Sequence, residues 1–447
     1  MIFVRFYSRV FLKPAKFDLK AIIRDLELYR GSVERRQLVN GAKVVSRLDE
    51  LGSQYEGIRE LNRKIADVQG ARKVIESKIR DSGRRPGAKD DLFETVRSMK
   101  EQFNEYNGQL GEVEDDVQSL CMQLPNLIHP SVPDEEPIVE KWINKDKYDE
   151  FIADESKDHV KIMQSKDLLD LSTAANVSGN SWYYLMNDGA QLETALVSYA
   201  LDLAEKSGFR RCIPPSIARK EMIDACGFAP RDMNNEKQIY EIENQGLGLT
   251  ATAEITLAGL YANKVVDLDA NEKVKKVVGV SRSYRAEAGA RGKDTKGLYR
   301  VHEFTKVELF CWSLPSSSEQ VLNELRDFQI RLIGSLGLCA QVLNMPANDL
   351  GNPAYKKYDI EVWMPGRGKF GEVSSTSNCT DFQSRRLGTK FRNPETSKLE
   401  YVHTLNGTAM AIPRIILAIV ENFYDPATNK IAIPQALVPY MNGKQYI

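Results

Sequence analysis

Residues 280–287 read Val-Ser-Arg-Ser-Tyr-Arg-Ala-Glu, residues 288–297 make a polar, Gly-rich turn, and residues 298–308 return as Leu-Tyr-Arg-Val-His-Glu-Phe-Thr-Lys-Val-Glu. A hairpin over this stretch sets Arg285, Glu287, Phe304 and Glu308 on two adjacent strands. Nearer the C-terminus, residues 404–414 (Thr-Leu-Asn-Gly-Thr-Ala-Met-Ala-Ile-Pro-Arg) run into an apolar helical pattern over 415–423. Between them lie 359–365 (Asp-Ile-Glu-Val-Trp-Met-Pro) and 370–375 (Phe-Gly-Glu-Val-Ser-Ser). A single Arg-x-Glu is most often an exposed ion pair of little consequence. Several such groups, arriving in order along one chain, ask for a common purpose. No Gly-x-x-x-x-Gly-Lys-Ser/Thr loop is present. The Gly-x-Gly-x-x-Gly run at 366–371 lies between two β-like runs instead of opening a helix, so it is not a dinucleotide fingerprint. A nucleotide bound here must therefore be held by side chains.

The elements that would carry these groups are β-like runs over 274–285, 298–312, 357–364 and 370–375, with helical stretches over 190–206 and 318–336. Strands outnumber crossover helices and come in pairs, which predicts an α+β fold: an antiparallel sheet with flanking helices. Ahead of it, Leu92, Val96, Met99, Phe103, Tyr106, Leu110, Val113, Val117 and Leu120 alternate by four and three, the seam of a coiled coil. Leu48, Leu51, Tyr55, Ile58, Ile65, Val68, Ile75 and Ile79 follow a looser version, and Gly83, Pro86 and Gly87 between the two runs reverse the chain. The expected element is an antiparallel helical hairpin. Its halves differ in charge: residues 42–89 hold 12 basic and 7 acidic side chains, for +5, whereas residues 90–121 hold 2 and 9, for −7. Arg59, Arg63, Lys64, Arg72, Lys73, Lys78, Arg80, Arg84 and Arg85 could follow a phosphate backbone. The residues alone favour the plainer reading, two helices that attract each other and keep a solvated charged face.

The whole chain of 447 residues balances 61 basic against 62 acidic side chains, so any nucleic-acid contact must come from a local basic patch. Six scattered cysteines without a Cys-x-x-Cys pair, and only four histidines, predict no disulfide framework and no His- or Cys-based metal centre. The first 17 residues carry Arg5, Arg9, Lys13 and Lys16 among apolar residues and no acid, the composition of a mitochondrial transit peptide. No stretch is apolar enough for a membrane span.

The hairpin around Arg285 resembles motif two of the class II aminoacyl-tRNA synthetases, with Tyr284 where Phe is usual. Residues 404–414 resemble motif three. Gly208-Phe209 followed by Pro214-Pro215 is similar to motif one, the strand of the dimer interface. The resemblance implies that Arg285 binds the α-phosphate of ATP, Glu287 reads the adenine amino group and Phe304 stacks on the ring. Arg414 would clamp the phosphates, while Glu372 and Ser375 hold Mg²⁺ with ATP. Ala286, Arg300, Val301, Val373 and Ser374 complete the implied nucleotide site.

Residues 250–254 (Thr-Ala-Thr-Ala-Glu) resemble the Thr-x-Glu signature of the seryl-tRNA synthetases of bacterial and mitochondrial type, although Thr-x-Glu is also a reasonable helix cap. The family places Thr252, Ala253, Glu254, Arg285, Glu308, Asn406 and Thr408 around L-serine. Buried polar partners for the hydroxyl would disfavour alanine by ~1–3 kcal/mol per unpaired group. The likeness extends over residues 123–130, 189–193 and 434–440, and it turns the reading of the hairpin towards RNA. The family's N-terminal arm reaches the long variable arm of tRNA(Ser). The implied organisation is a transit peptide over 1–17, a tRNA-binding arm over 18–124 and a class II catalytic domain over 125–447. The expected protein is a homodimer of the mitochondrial matrix that makes seryl-adenylate and pyrophosphate, then charges tRNA. A non-catalytic paralogue, a structural coiled-coil protein and a class II enzyme for another amino acid are the rival readings.

Overall fold

The computed structural model describes residues 11–81, 90–148, 150–228, 238–286 and 297–447. The chain forms two compact units, Phe17–Leu127 and a second built from Ile128–Ile447 with the residues before Phe17. No helix among the described residues is long and apolar enough to cross a membrane.

In the first unit, short helices α1 (Leu19–Arg24) and α2 (Leu26–Arg35) lead into two long ones, α3 (Gly41–Asp81) and α4 (Asp90–Gln123). Asp18 caps α1 by accepting from Ala21 N at 3.0 Å, which satisfies one of the open N–H groups at the helix start. Arg47 pairs with Asp116 at 2.7 Å and Lys64 lies over the Tyr106 ring, so α3 and α4 run antiparallel. All nine residues of the α4 seam are buried or half-buried. Full burial is confined to the base, where Ile22, Val33, Val44, Leu48, Leu51, Val117, Leu120, Cys121 and Leu124 pack together. Residues 125–127 stay with this unit: Ser32 Oγ donates to Asn126 O at 2.6 Å, and Arg36 Nη2 to the same oxygen at 3.1 Å. The tip and its Arg84 and Arg85 lie outside the described residues.

The second unit is organised by an eight-stranded sheet: β1 (Ile138–Ile143), β2 (Arg210–Cys212), β3 (Val274–Tyr284), β4 (Glu303–Ser313), β5 (Ala340–Asn344), β6 (Lys356–Met364), β7 (Lys369–Asn378) and β8 (His403–Ala411). Their order is β1-β5-β6-β7-β8-β4-β3-β2. Every pair is antiparallel except β2 with β3, which is parallel. Successive side chains of a strand point to opposite faces. On β4, Val307, Leu309 and Cys311 enter the main core, which includes residues of helices Asn187–Lys206, Ser318–Ser335 and Ile412–Phe423. Phe304, Lys306, Glu308, Phe310 and Trp312 take the other face, the last two in a second core with Ile255, Leu257 and Phe391. All six cysteines are unpaired thiols, five of them buried.

Residues 298–302 do not extend the strand expected over 298–312, which starts at Glu303. Their backbone groups are taken by other partners: Leu298 N donates to His159 Nε2 at 3.2 Å, and Tyr299 O accepts from Arg414 Nε at 3.1 Å. Residues 11 and 12 pack on the second unit, with Phe11 N and Leu12 N donating to the Glu221 carboxylate and Leu12 buried. Residues 1–10 of the segment expected to be a transit peptide lie outside the described residues.

Because the arm's burial is concentrated at its base, Leu120→Ala is expected to cost about 2–5 kcal/mol of unfolding free energy. Met99→Ala, at a half-buried seam position, is expected to cost less than half of that. Urea unfolding of both full-length variants, followed by circular dichroism, decides it; equal losses would mean that the core is not graded along the arm.

Candidate active site

One cleft opens on the face of the sheet that carries Phe304 and Lys306. Nine residues expected to bind ATP or serine line it: Arg285, Arg300, Val301, Phe304, Glu372, Val373, Ser375, Thr408 and Arg414. Leu298, Tyr299, Lys306, Ala411 and Pro413 complete the lining.

Register explains how three strands can aim at one space. On β4, residues 304, 306 and 308 share a face by simple alternation. Two β-bulges do the rest. Ile360 pairs with Ser374 and Glu361 with Glu372, so Val373 is extra and Glu372 and Ser375, three residues apart, both reach the cleft. Val307 pairs with Met410 and Glu308 with Thr408, so Ala409 is extra, and Thr408 and Ala411 come to the same side. Alternation without bulges would have sent one member of each pair into the core.

Arg414 follows Pro413 in the first turn of helix Ile412–Phe423, where proline's missing N–H costs no helical hydrogen bond. Its Nη1 donates to Glu372 O at 2.8 Å and to Glu372 Oε2 at 3.1 Å, and its guanidinium lies 4.5 Å from the Tyr299 ring centre. Burial works to raise the Glu372 carboxyl, but the positive charges of Arg414, Lys357 and Arg285 hold it below the usual range. Arg285 lies 5.3 Å from the centre of the Phe304 ring, and its N–H donates to His302 O at 2.9 Å. A cationic, aromatic-backed cleft with one ionised carboxylate suits a polyphosphate nucleotide.

A second, deeper group sits beside the cleft. Glu254 Oε1 accepts from Gln383 Nε2 at 2.6 Å and from Asn406 Nδ2 at 2.9 Å. Burial pushes its carboxyl up to about 7, helped by Glu308 and opposed by Lys306 and Gln383. Thr252 Oγ1 accepts from Glu254 N at 3.2 Å, but the N-cap of the short helix Glu254–Ala258 is Ala253, which has no side-chain cap bond. Thr252 thus braces the turn into the helix from one residue before the cap. Thr252, Ala253 and Glu308 are buried, and the register places Glu308 opposite Thr408. Lys306 joins this group to the cleft, its Nζ 2.6 Å from Glu308 Oε2.

Two expected nucleotide residues stand apart from the lining. Ser374 turns away by alternation and donates to Thr408 O at 2.5 Å, bracing β7 against β8, and Ala286 N donates to Gln238 O at 3.0 Å. Glu287 lies outside the described residues. Supporting residues that the sequence did not single out include Gln383, Gln329, His159 and Glu421. Gln329 Nε2 donates to Ser375 O and Thr408 O at 2.8 and 3.0 Å. His159 accepts from Leu298 N, so its proton resides on Nδ1, which donates to Glu421 Oε1 at 2.8 Å. Glu421 Oε2 in turn accepts from Gly366 N, also at 2.8 Å. Gly297, next to this bond, has φ +69°, and a Cβ there would meet His159 Nε2 at 2.2 Å. Lys306 was legible in principle, since it shares parity with Phe304 and Glu308; the others carry no motif.

The family description "tRNA synthetase class II core domain (G, H, P, S and T)" matches residues 239–423, and "Seryl-tRNA synthetase N-terminal domain" matches residues 17–128. The chain is 57% identical to the mitochondrial serine–tRNA ligase of Saccharomyces cerevisiae over 98% of its own length and 97% of the relative's. It is 38% identical to the mitochondrial serine–tRNA ligase of Schizosaccharomyces pombe, over 97% and 89%. A crystal structure of seryl-tRNA synthetase from Pyrococcus horikoshii complexed with ATP superposes with a TM-score of 0.87 at 33% identity, covering 97% of this chain and 99% of that one.

The His159–Glu421 pair holds one wall of the cleft, and it is buried on both sides. His159→Ala removes the donor to Glu421 Oε1 and is expected to cost about 1.5–3 kcal/mol. The urea midpoint of the variant measures this; an unchanged midpoint would remove the pair from the account of the wall.

Proposed function

The chain belongs to the seryl-tRNA synthetase family, and from that premise we propose how its residues divide the work. It is an ATP-dependent ligase that joins serine to tRNA, and it serves mitochondrial translation. The observation that carries the division of labour is the pairing of a cationic cleft with a buried acidic group, bridged by Lys306. The cleft takes ATP; the acidic group takes the amino acid.

In the first step the serine carboxylate attacks the α-phosphorus of ATP, a phosphorus–oxygen bond forms, and pyrophosphate leaves. Arg285 sits where it can pair with the serine carboxylate and with the α-phosphate together, which brings nucleophile and electrophile into line. Phe304 offers a face to the adenine. Arg414, fixed by Glu372 and Tyr299, meets the negative charge that develops on the leaving phosphates. Glu254 and Glu308 accept from the serine ammonium, while Thr408 and Asn406 take its hydroxyl. In the second step the terminal ribose hydroxyl of tRNA attacks the activated carbonyl and AMP leaves. No protein nucleophile is needed.

Glu372 and Ser375 fit Mg²⁺ arriving with ATP. They offer hard oxygen donors, and among the described residues no three His, Cys, Asp or Glu come together as a protein-built metal cage. A bound Mg²⁺ would neutralise phosphate charge there.

The arm supplies the RNA contact. Arg59, Lys64 and Arg72 each pair with an acid one turn away, on Glu56, Glu60 and Glu76. Arg63, Lys73 and Lys78 are exposed and present charge to solvent. A homodimer through motif one is part of the same reading: Ile213, just after edge strand β2, is 93% exposed, and Ile217 is also exposed.

Arg414→Ala is expected to lower kcat/KM for serine-dependent ATP–pyrophosphate exchange by about 10²–10³-fold. Exchange within tenfold of the parent would take Arg414 out of the phosphate clamp. Replacing Arg63, Lys73 and Lys78 with Gln is expected to leave exchange unchanged. Binding of tRNA should weaken, with a salt dependence shallower by about 0.7–0.9 per lost phosphate contact. An unaltered salt slope would place the RNA elsewhere.

A further inference from the structure

The serine subsite, as read above, leaves one buried charge without a task. Lys306 is 7% exposed, lies on the cleft side of β4, and faces two carboxylates, Glu308 on its own strand and Glu254 from the neighbouring short helix. An isolated charge is not kept at such a depth unless other charges or dipoles answer it. Glu308 Oε2 is 2.6 Å from Lys306 Nζ, yet the approach lacks the angle of a hydrogen bond. The contact is therefore one of charge with charge, and the lone pairs of that oxygen are not committed to it.

Among the described residues, Lys306 is the one cation whose charge acts on Glu254. Gln383 and Asn406 donate to its carboxylate as neutral amides, and Thr252 accepts from its backbone N–H. Cys226, at the end of helix Lys220–Ala225, is a buried thiol whose proton is held by burial and by Glu254 itself. Two carboxylates and one ammonium leave the subsite one negative charge, the complement of a single substrate ammonium.

We propose that Lys306 is a positioning residue of the serine subsite: its ammonium balances one of the two buried carboxylates, so that Glu254 and Glu308 together receive one amino group. This rests on the assignment of Glu254 and Glu308 to the substrate ammonium. The direction of the pH effect follows from the charges. Removing the Lys306 ammonium takes away a charge that lowers the Glu254 carboxyl, so its titration moves up from about 7. At pH 7 more of it is then protonated and unable to hold an ammonium; raising the pH restores the carboxylate.

The experiment is ATP–pyrophosphate exchange with the full chain between pH 6.5 and 8.5, for Lys306→Met, Lys306→Gln, Lys306→Arg and Glu254→Gln. Lys306→Met and Lys306→Gln are expected to raise the KM for serine about tenfold or more at pH 7, with the KM for ATP near that of the parent. The increase should shrink as pH rises. Lys306→Arg, which keeps the charge, should stay within a few-fold of the parent at every pH, and its folding makes the test decisive if the neutral variants do not accumulate. A serine KM that does not move, one that rises equally at all pH values, or an Arg variant as impaired as the Met variant overturns the proposal. Glu254→Gln separates it from its premise: a parental serine KM in that variant overturns the subsite assignment itself.

Discussion

The site depends on register. Every group that touches the cleft from the sheet must leave its strand on the same face, and a β-strand offers that face only to every second residue. The eight-stranded sheet meets this constraint with plain alternation on β4 and with one extra residue each on β7 and β8. The far face of β4 is filled by Val307, Leu309 and Cys311 in the main core. A slip of one residue would therefore exchange Phe304, Lys306 and Glu308 for Thr305, Val307 and Leu309 and send an aromatic and two charged groups towards the main core. Core burial and site chemistry enforce the same register.

Electrostatics is arranged on top of that frame in two compartments. In the outer one, Arg414, Arg285 and Lys357 outweigh the burial of Glu372 and keep it ionised. In the inner one burial wins, and Glu254 is pushed up to about 7 with Glu308 close by. Burial thus pushes two glutamates of one active site the same way, but they end on opposite sides of the usual range. Arg414, Lys357 and Arg285 act on one, whereas the other has Glu308 and neutral amides around it, with Lys306 the one opposing charge. Positive charge suits phosphates outside, and spare negative charge suits an ammonium inside.

Much of this was readable before any coordinates. The α4 seam from Leu92 to Leu120 follows from spacing alone, because a helix of that length must bury its stripe against something. The motif residues Arg285, Phe304, Glu372, Thr408 and Arg414 are identifiable through their resemblance to the family's motifs. The bulges at Val373 and Ala409 leave no compositional trace, and so Ser374 could not be separated from its neighbours. Gln383, Gln329 and the His159–Glu421 pair were invisible for a related reason: each works through a contact between residues distant in sequence, and nothing local marks such a residue. Residues 298–302 read as strand from Leu298, Tyr299 and Val301, yet Leu298 N and Tyr299 O bond to His159 and Arg414 instead of the sheet.

The graded burial of the helical arm has a consequence for how it holds together in time. Local opening costs least where few apolar groups are lost, so the half-buried outer seam and the packed base form separate units of cooperativity. Opening the backbone around Met99 and Phe103 uncovers none of Leu48, Leu51 and Leu120, which belong to the packed base. Amides at the base wait for the whole unit to open. A helical pair whose burial is graded in this way yields first at its outer seam, while Leu48, Leu51 and Leu120 keep the base packed.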